Sequence, residues 1–267
     1  AHVEAPTAIS VLLAGILLKL GVYGILRINY GLMPDGVYWF SGALAALGLI
    51  NVVWGGLCAL AQTDLKKLVA YSSVNHMGYS LIGMAAIVAA GEANGLNLKA
   101  AQAGLGGAVF QMFNHGTISA MLFILVGVIY DRAHHRQIDG FGGLAAQMPI
   151  YTGITALAFF AGLGLPGFSG FISEAMCFIG AFPVYRGIVI ASTIGILLNA
   201  AYFLWAFQRI VFGELNEKYT DLPEINRLVL FTVVPLLVIT IFFGIYPAPY
   251  LDIIASTMDV IIDHVVT

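Results

Sequence analysis

Seven apolar stretches, each about the length of a membrane span, run through this chain with only short polar breaks between them. They lie at about 5–28, 37–61, 66–90, 104–130, 149–182, 187–212 and 227–246, and a helical crossing needs roughly 20 mostly apolar residues. Inside lipid the backbone must satisfy its own hydrogen bonds, which leaves helices or closed barrels. A barrel would show short segments of alternating hydrophobicity, and none is present. The expected fold class is therefore all-α, a polytopic transmembrane helix bundle of about seven spans. Composition agrees: 60% of the 267 residues are hydrophobic and 9% charged, where an ordinary soluble domain is about 45–50% apolar.

Residues 1–267 read as a single transmembrane domain with a C-terminal tail, 247–267. The tail places Asp252, Asp259 and Asp263 among apolar residues at helical spacing. That pattern suits a helix along the membrane surface, although the basic face of a typical interfacial helix is missing. The net charge of −3 is too small to point to nucleic acid. Cys58 and Cys177 both lie in apolar segments and read as small buried hydrophobes. No CxxC or Cys/His cluster suggests a metal or iron–sulfur site. The opening AHVEAPTAIS has neither Met nor a charged stretch ahead of an apolar core, so no signal peptide is expected. The chain reads as a fragment that starts in a loop.

The fifth segment is too long for one straight crossing and too short for two. Its thirty-four residues at about 1.5 Å each would make roughly 50 Å, against a hydrocarbon core of about 30 Å. Its middle reads GLGLPGFSG, a Gly/Pro cluster that frees backbone groups from the helical ladder. One discontinuous helix over 149–182 is expected, its break shielded by protein or by a watery cavity. Charge counting supports a single crossing. With one, Lys66, Lys67, Arg132, Arg136, Arg209, Lys218 and Arg227 share a side, and Arg27, Lys99 and Arg186 share the other. Seven against three obeys the positive-inside rule, whereas two crossings would give five against five. The C-terminus is then expected on the outer side.

Four ionisable residues fall near mid-membrane on four segments: Lys19, His76, His115 and Glu174. Such groups are costly in hydrocarbon and are usually tied to ion or proton movement. Lys19 is far from either end of its segment, where snorkelling to the headgroups works best. Ser72, His76 and Ser80 are spaced i, i+4, i+8, and so are Gln111, His115 and Ser119, so each set makes one polar stripe on an apolar helix. Asn75 and Asn114 widen the two stripes. Either histidine alone is as well explained by hydrogen bonding between helices. Two stripes together with Lys19 and Glu174 favour a proton path, since imidazole accepts and releases protons at modest cost. Burial disfavours the charged forms of lysine and glutamate and so brings both towards easy exchange.

Other polar residues carry less. Asp64, Lys66 and Lys67 read as a solvated rim with an optional role in feeding a path. His134 and His135 read as surface residues. Asn51, Trp54 and Asn199 are candidates to line water, although single polar residues in spans are more often satisfied by neighbours. The glycines at 162, 164, 167 and 170 lack the strand–helix setting of a nucleotide loop. No nucleophile–base pair emerges.

The stretches AHVEAPTAISVLLAGILLKLGVYGILR, QTDLKKLVAYSSVNHMGYSLIGM, GAVFQMFNHGTISAMLFILVGVIYDR and FAGLGLPGFSGFISEAMCFIGAF resemble the antiporter-like subunits of respiratory NADH:quinone oxidoreductase (complex I). Among these the chain is most similar to subunit M, also called chain 4. The resemblance covers essentially the whole chain. It implies a fold of fourteen helices with two inverted five-helix units, of which this chain would hold helices eight to fourteen, the broken segment being helix twelve. By that match Lys19 would link the two half-channels, His76 and His115 would form the central hydrophilic axis, and Glu174 would be the terminal acid. A glutamate in the SEA triplet favours subunit M over sister subunits with lysine there. The first half-channel's own glutamate and lysine would lie on helices absent from this chain.

The resemblance implies a membrane subunit of a proton-pumping NADH:quinone oxidoreductase enzyme, moving protons through a hydrated half-channel. Electron transfer would occur in other subunits, with no flavin, iron–sulfur cluster, quinone site or other cofactor in this chain. Its partners would be the other membrane subunits, including sister antiporter-like subunits, together with the lipid bilayer, protons and water, and no nucleic acid. A bacterial plasma membrane is the favoured location, with thylakoid and mitochondrial inner membranes as alternatives. Two rivals remain open: a cation/proton antiporter or membrane-bound hydrogenase subunit, and a purely structural membrane subunit whose stripes are packing glue.

Overall fold

The structure is a computed structural model and describes residues 2–91 and 95–266. Among the described residues, six helical stretches are long and apolar enough to cross a membrane, and Pro149–Leu163 is a shorter apolar helix. The helices are α1 (Thr7–Leu32), α2 (Pro34–Leu60), α3 (Leu65–Ala85), α4 (Gly95–Ala133), α5 (Pro149–Leu163), α6 (Ser169–Ser192), α7 (Ile194–Val211), α8 (Arg227–Ile245) and α9 (Ala248–Val266). The all-α bundle of about seven spans is borne out.

Two boundaries differ from expectation. The fourth span starts at Gly95 rather than near 104, because the polar residues Asn97, Lys99 and Gln102 at its outer end are compatible with a continuing helix. The fifth and sixth segments are joined by a kink in place of a loop. Pro183 lies inside α6, and Tyr185 leaves the helical conformation at φ −117°, ψ 45°. Proline lacks the N–H of its turn and bends the helix there. The Tyr185 hydroxyl meets Ser41 of α2 at 2.7 Å, which pins the kink to the outer end of the bundle.

The centre of the bundle is α3 and α4, each with 72% of its most apolar window buried, against 28% for α1 and 17% for α8. Glycines bring their backbones close to α6. A Cβ on Gly180 would come within 2.3 Å of Gly104 Cα, and one on Gly104 within 2.6 Å of the Gly83 carbonyl. Small residues at helix crossings are the usual means of association where lipid supplies no hydrophobic drive between helices.

The inner-side loops interlock. Asp64 caps α3 by accepting from the Lys66 and Lys67 N–H groups, and its carboxylate pairs with Arg136 at 3.3 Å. Leu65 N–H donates to the Arg136 carbonyl, and Ile138 N–H to that of Thr63. Arg132 donates to the Pro223 and Glu224 carbonyls, while the Glu224 carboxylate accepts from the first N–H groups of α5. Loops 61–64, 134–148 and 212–226 therefore share one side, so the broken fifth segment crosses once. The expected solvated rim needs correction: Asp64 and Lys66 are buried, the former by its cap and ion pair and the latter by donating to the Ala5 carbonyl.

The tail forms α9, packed at the end of the bundle opposite those loops. Tyr250 stacks on Phe110 and sits 4.8 Å from the Phe113 ring, Gln102 donates to Asp259 at 2.7 Å, and His264 Nε2 lies 3.1 Å from the Gly31 carbonyl. Met258, Ile262 and Val265 form its buried face.

His135 staples two inner loops. Its ring stacks on Phe141 at 4.4 Å and its Nε2 meets the Tyr219 hydroxyl. Burial holds its pKa below the ordinary 6.5, with Lys218 adding to the effect. A histidine kept neutral in the folded state supports stability above about pH 6.5 and loses that contribution as pH falls. Protection of the amides of residues 134–147, measured relative to the intrinsic exchange rate at each pH, should therefore fall between about pH 7.5 and about pH 5.5, around the histidine midpoint. His135→Gln should flatten that response.

Candidate functional site

The two stripes face each other at the centre of the bundle. Ser72, His76 and Ser80 of α3, Gln111, His115 and Ser119 of α4, Lys19 of α1 and Glu174 of α6 are all buried. His76 Nδ1 lies 3.0 Å from Glu174 Oε1, a contact across ninety-eight residues of sequence. Gln111 Nε2 donates to the same oxygen at 3.4 Å, and Gln111 Oε1 accepts from Ser173. The His76 and His115 rings are 5.5 Å apart between centroids.

The break in the fifth span is built around this carboxylate. Gly164 ends α5 at φ +78°, and a Cβ there would stand 3.1 Å from Glu174 Oε2. Leu165 N–H still reaches the Phe160 carbonyl at 3.2 Å. Asn114 Nδ2 donates to the Ser169 carbonyl and to Ser173 Oγ, each at 3.0 Å. Gly244 of α8 closes over the loop, where a Cβ would strike the Gly167 carbonyl at 2.2 Å. Gly244 covers the break on one side, while Leu165, Pro166 and Gly167 stay exposed on the surface of this chain, so the expected shielding by protein is only partial.

Lys19 sits at the other end of the line. Its ammonium donates to the Ala14 carbonyl of its own helix, which also accepts from Ser119 Oγ at 3.3 Å. Ala14 belongs to a π-helical stretch, Leu13–Leu17; such turns are frequent at functional sites. Lys19 Cε passes 3.9 Å from where a Cβ on Gly116 would stand. Among the described residues Lys19 has no ion-pair partner. Ser119 is one helical turn from His115, so the four ionisable groups form a line: Lys19, His115, His76, Glu174.

The geometry leaves room for water. His76 Nε2 and His115 Nδ1 are buried without a hydrogen-bond partner among the described residues. A cavity of about 10 Å³ is lined by His76, Gln111, His115, Gly162 and Glu174, among others, which is about the room of one water. Buried polar atoms of this kind are ordinarily satisfied by such a water.

The other candidates sort differently. Trp54 is 67% exposed and points outwards, so it lines no water: the indole follows the lipid-facing side of α2. Asn199 is fully buried. His135 is a structural staple, and His134 takes a left-handed φ of 56° in the turn beside it. One residue that sequence reasoning passed over is His2, whose ring lies 5.9 Å from Phe123. It sits near enough to Lys19 and Lys66 to feel their charge. Nothing in the pattern marked it, because it precedes the first span.

Fold and centre together define a polytopic helical membrane protein with ionisable groups lined up in its interior. The family described as NADH:quinone oxidoreductase/Mrp antiporter, TM matches residues 1–199, and the chain belongs to it. NADH-quinone oxidoreductase subunit M of Rhodobacter capsulatus is 42% identical over 97% of this chain and 48% of that protein. NADH-ubiquinone oxidoreductase chain 4 of Marchantia polymorpha is 37% identical over 99% of this chain and 51% of that protein. The chain spans about half the length of the curated relatives it matches. Among solved structures, respiratory complex I from Thermus thermophilus with bound NADH aligns with TM-score 0.86 and 25% identity, over 99% of this chain and 53% of that one. The Mrp complex from Dietzia shares the fold, with TM-score 0.84 at 19% identity over 100% of this chain and 57% of that one.

The break generates a paired expectation. Gly164→Ala forces a side chain into the left-handed region at a cost of about 1–2 kcal/mol and pushes on the Glu174 carboxylate. Gly153, inside α5 with nothing near its absent Cβ, should tolerate alanine with a gain of about 0.5–1 kcal/mol. Thermal unfolding of the two variants in detergent should move in opposite directions.

Proposed function

We propose that this chain is the C-terminal helical half of a proton-translocating membrane subunit of NADH:quinone oxidoreductase, corresponding to helices eight to fourteen of the family fold. The observation that carries the reading is the buried line of Lys19, His115, His76 and Glu174 across the centre of the bundle. Ionisable groups are rarely retained at that depth unless charge moves there. The family match and the complex I relatives support the assignment to that enzyme.

In this reading, redox energy released in other subunits alters the charge at Lys19 and Glu174. Protons pass between them by way of water and the two imidazoles. His76 is the working element: its Nδ1 faces the carboxylate and its Nε2 is left for water. A proton taken up at one nitrogen is released from the other, which is how neutral imidazole relays charge. Redox cofactors belong to other parts of the assembly, and the neighbours in the membrane are sister antiporter-like subunits and lipid. A bacterial plasma membrane is the proposed location. A cation/proton antiporter is less favoured, because the relatives at 36% to 42% identity are subunits of NADH–quinone or NADH–ubiquinone oxidoreductases.

Glu174→Gln removes the charge and keeps the shape. Membrane vesicles carrying the full-length subunit with this change should assemble the complex yet lose most proton pumping. Normal pumping by the assembled variant would sink the proposed role.

A further inference from the structure

A second polar column meets His76 from another direction, on the face of α3 turned towards α7. Tyr79 lies one turn above His76, with ring centroids 6.2 Å apart. Its hydroxyl and Asn199 Nδ2 of α7 are both buried without a hydrogen-bond partner among the described residues, and a Cβ on Gly195, one turn before Asn199, would stand only 2.5 Å from that hydroxyl oxygen. Asn199 Oδ1 accepts from the Tyr202 hydroxyl at 2.7 Å, while Ser72 Oγ, one turn before His76, donates to the Val69 carbonyl of its own helix. All five of these side chains and that of Asn75 are buried. Within the same region, Asn75 Oδ1 and Ser192 Oγ are buried and have no hydrogen-bond partner among the described residues.

Such density of polar atoms is unusual for the interface of two apolar spans. Two or three interhelical hydrogen bonds would serve packing alone. Here a single direct hydrogen bond among the described residues, Tyr202 to Asn199, is flanked by orphaned polar atoms, and such atoms in a buried polar site are satisfied by water. The column also has a direction. Ser72 is seven residues from the inner end of α3 and Tyr202 nine from the inner end of α7, roughly 10–14 Å at about 1.5 Å per residue. Tyr79 and Gly195 lie deeper, level with or beyond His76. Below Ser72, the apolar side chains of Leu65, Leu68, Ala206 and Ile210 close the route.

We propose that His76 is a junction, and that the column of Ser72, Tyr202, Asn199 and Tyr79 is an inward arm that exchanges protons between His76 and the inner face. It rests on the proton path proposed above and adds the point at which the line connects with the inner side. Tyr79 hands protons between the Asn199 water site and the imidazole, while Tyr202 and Ser72 extend the column by way of water towards the apolar plug. Wetting of that plug opens the arm.

The test uses vesicles carrying the whole complex with the full-length subunit, comparing Tyr79→Phe, Asn199→Leu, Asn199→Ser and Glu174→Gln. Proton pumping, electron-transfer rate and assembly are read from the same preparations. Tyr79→Phe keeps the ring and removes one hydroxyl, so it should assemble and fall to the pumping level of Glu174→Gln. Asn199→Leu should do the same, whereas Asn199→Ser, which leaves room for water, should recover pumping. A merely structural role would lower the yield of both Asn199 variants and leave pumping per assembled complex unchanged. Wild-type pumping by Tyr79→Phe beside a defective Glu174→Gln would overturn the inward arm and leave the central line standing. Wild-type pumping by both would overturn both. If Asn199→Leu does not assemble, Tyr79→Phe alone decides.

Discussion

A carboxylate in the middle of a bilayer must be paired or hydrogen-bonded within the protein, and the contact between His76 and Glu174 is where this bundle meets that demand. Breaking a buried pair by removing one partner typically costs about 3–5 kcal/mol, because the survivor is left uncompensated. The surroundings follow from it. Glu174 reaches His76 because α6 begins only five residues earlier, at Ser169. That start requires a break, and the break requires Gly164 at a positive φ with no side chain in the carboxylate's way. Asn114 then occupies the freed Ser169 carbonyl. The close glycine contacts among α3, α4 and α6 bring the three helices near enough for these short side chains to meet.

The line of ionisable groups is asymmetric. At one end, the Glu174 oxygen is held by a ring nitrogen and an amide from two different helices, so its position is fixed by tertiary structure. At the other end, the Lys19 ammonium is held by a carbonyl of its own helix, a local arrangement sensitive to the π-helical stretch that presents Ala14. A rigid acid and a locally held base differ in how freely they reorient. In the proposed path the lysine end is the one with scope to change partners, and the carboxylate end supplies a fixed reference.

Much of this was legible in the sequence because it depends on length and period. Apolar runs set the spans, the GLGLPGFSG cluster set the break, and the i, i+4, i+8 spacing of Ser72, His76 and Ser80 set one polar face. Charge counting fixed the single crossing of the fifth segment, and the interlocked inner loops agree with it. What depends on pairing was not legible. Nothing local says that His76 meets Glu174, that Asp64 meets Arg136, or that Tyr250 seats on Phe110 and Phe113, since each partner is set by how helices dock. Trp54 and the start of α4 were misread for a related reason. A polar or amphipathic side chain on a span says little about which way its face will turn until the neighbouring helices are known.

The tautomer of His76 carries the argument furthest. When Glu174 is ionised, Nδ1 must donate to it, so Nε2 is the nitrogen that accepts. A proton arriving at Nε2 releases the Nδ1 proton to the carboxylate and leaves the ring in the opposite tautomer. The ring then cannot repeat the step until its protons are rearranged, either by a ring flip or by exchange through neighbouring groups. A flip would break the 3.0 Å contact in a setting where the carboxylate has few other partners. Exchange through water and nearby hydroxyls leaves the contact intact. A histidine flanked by His115 on one side and Tyr79 on another has the neighbours that such a reset requires, which is why a branched polar network at this position suits repeated turnover better than a single file.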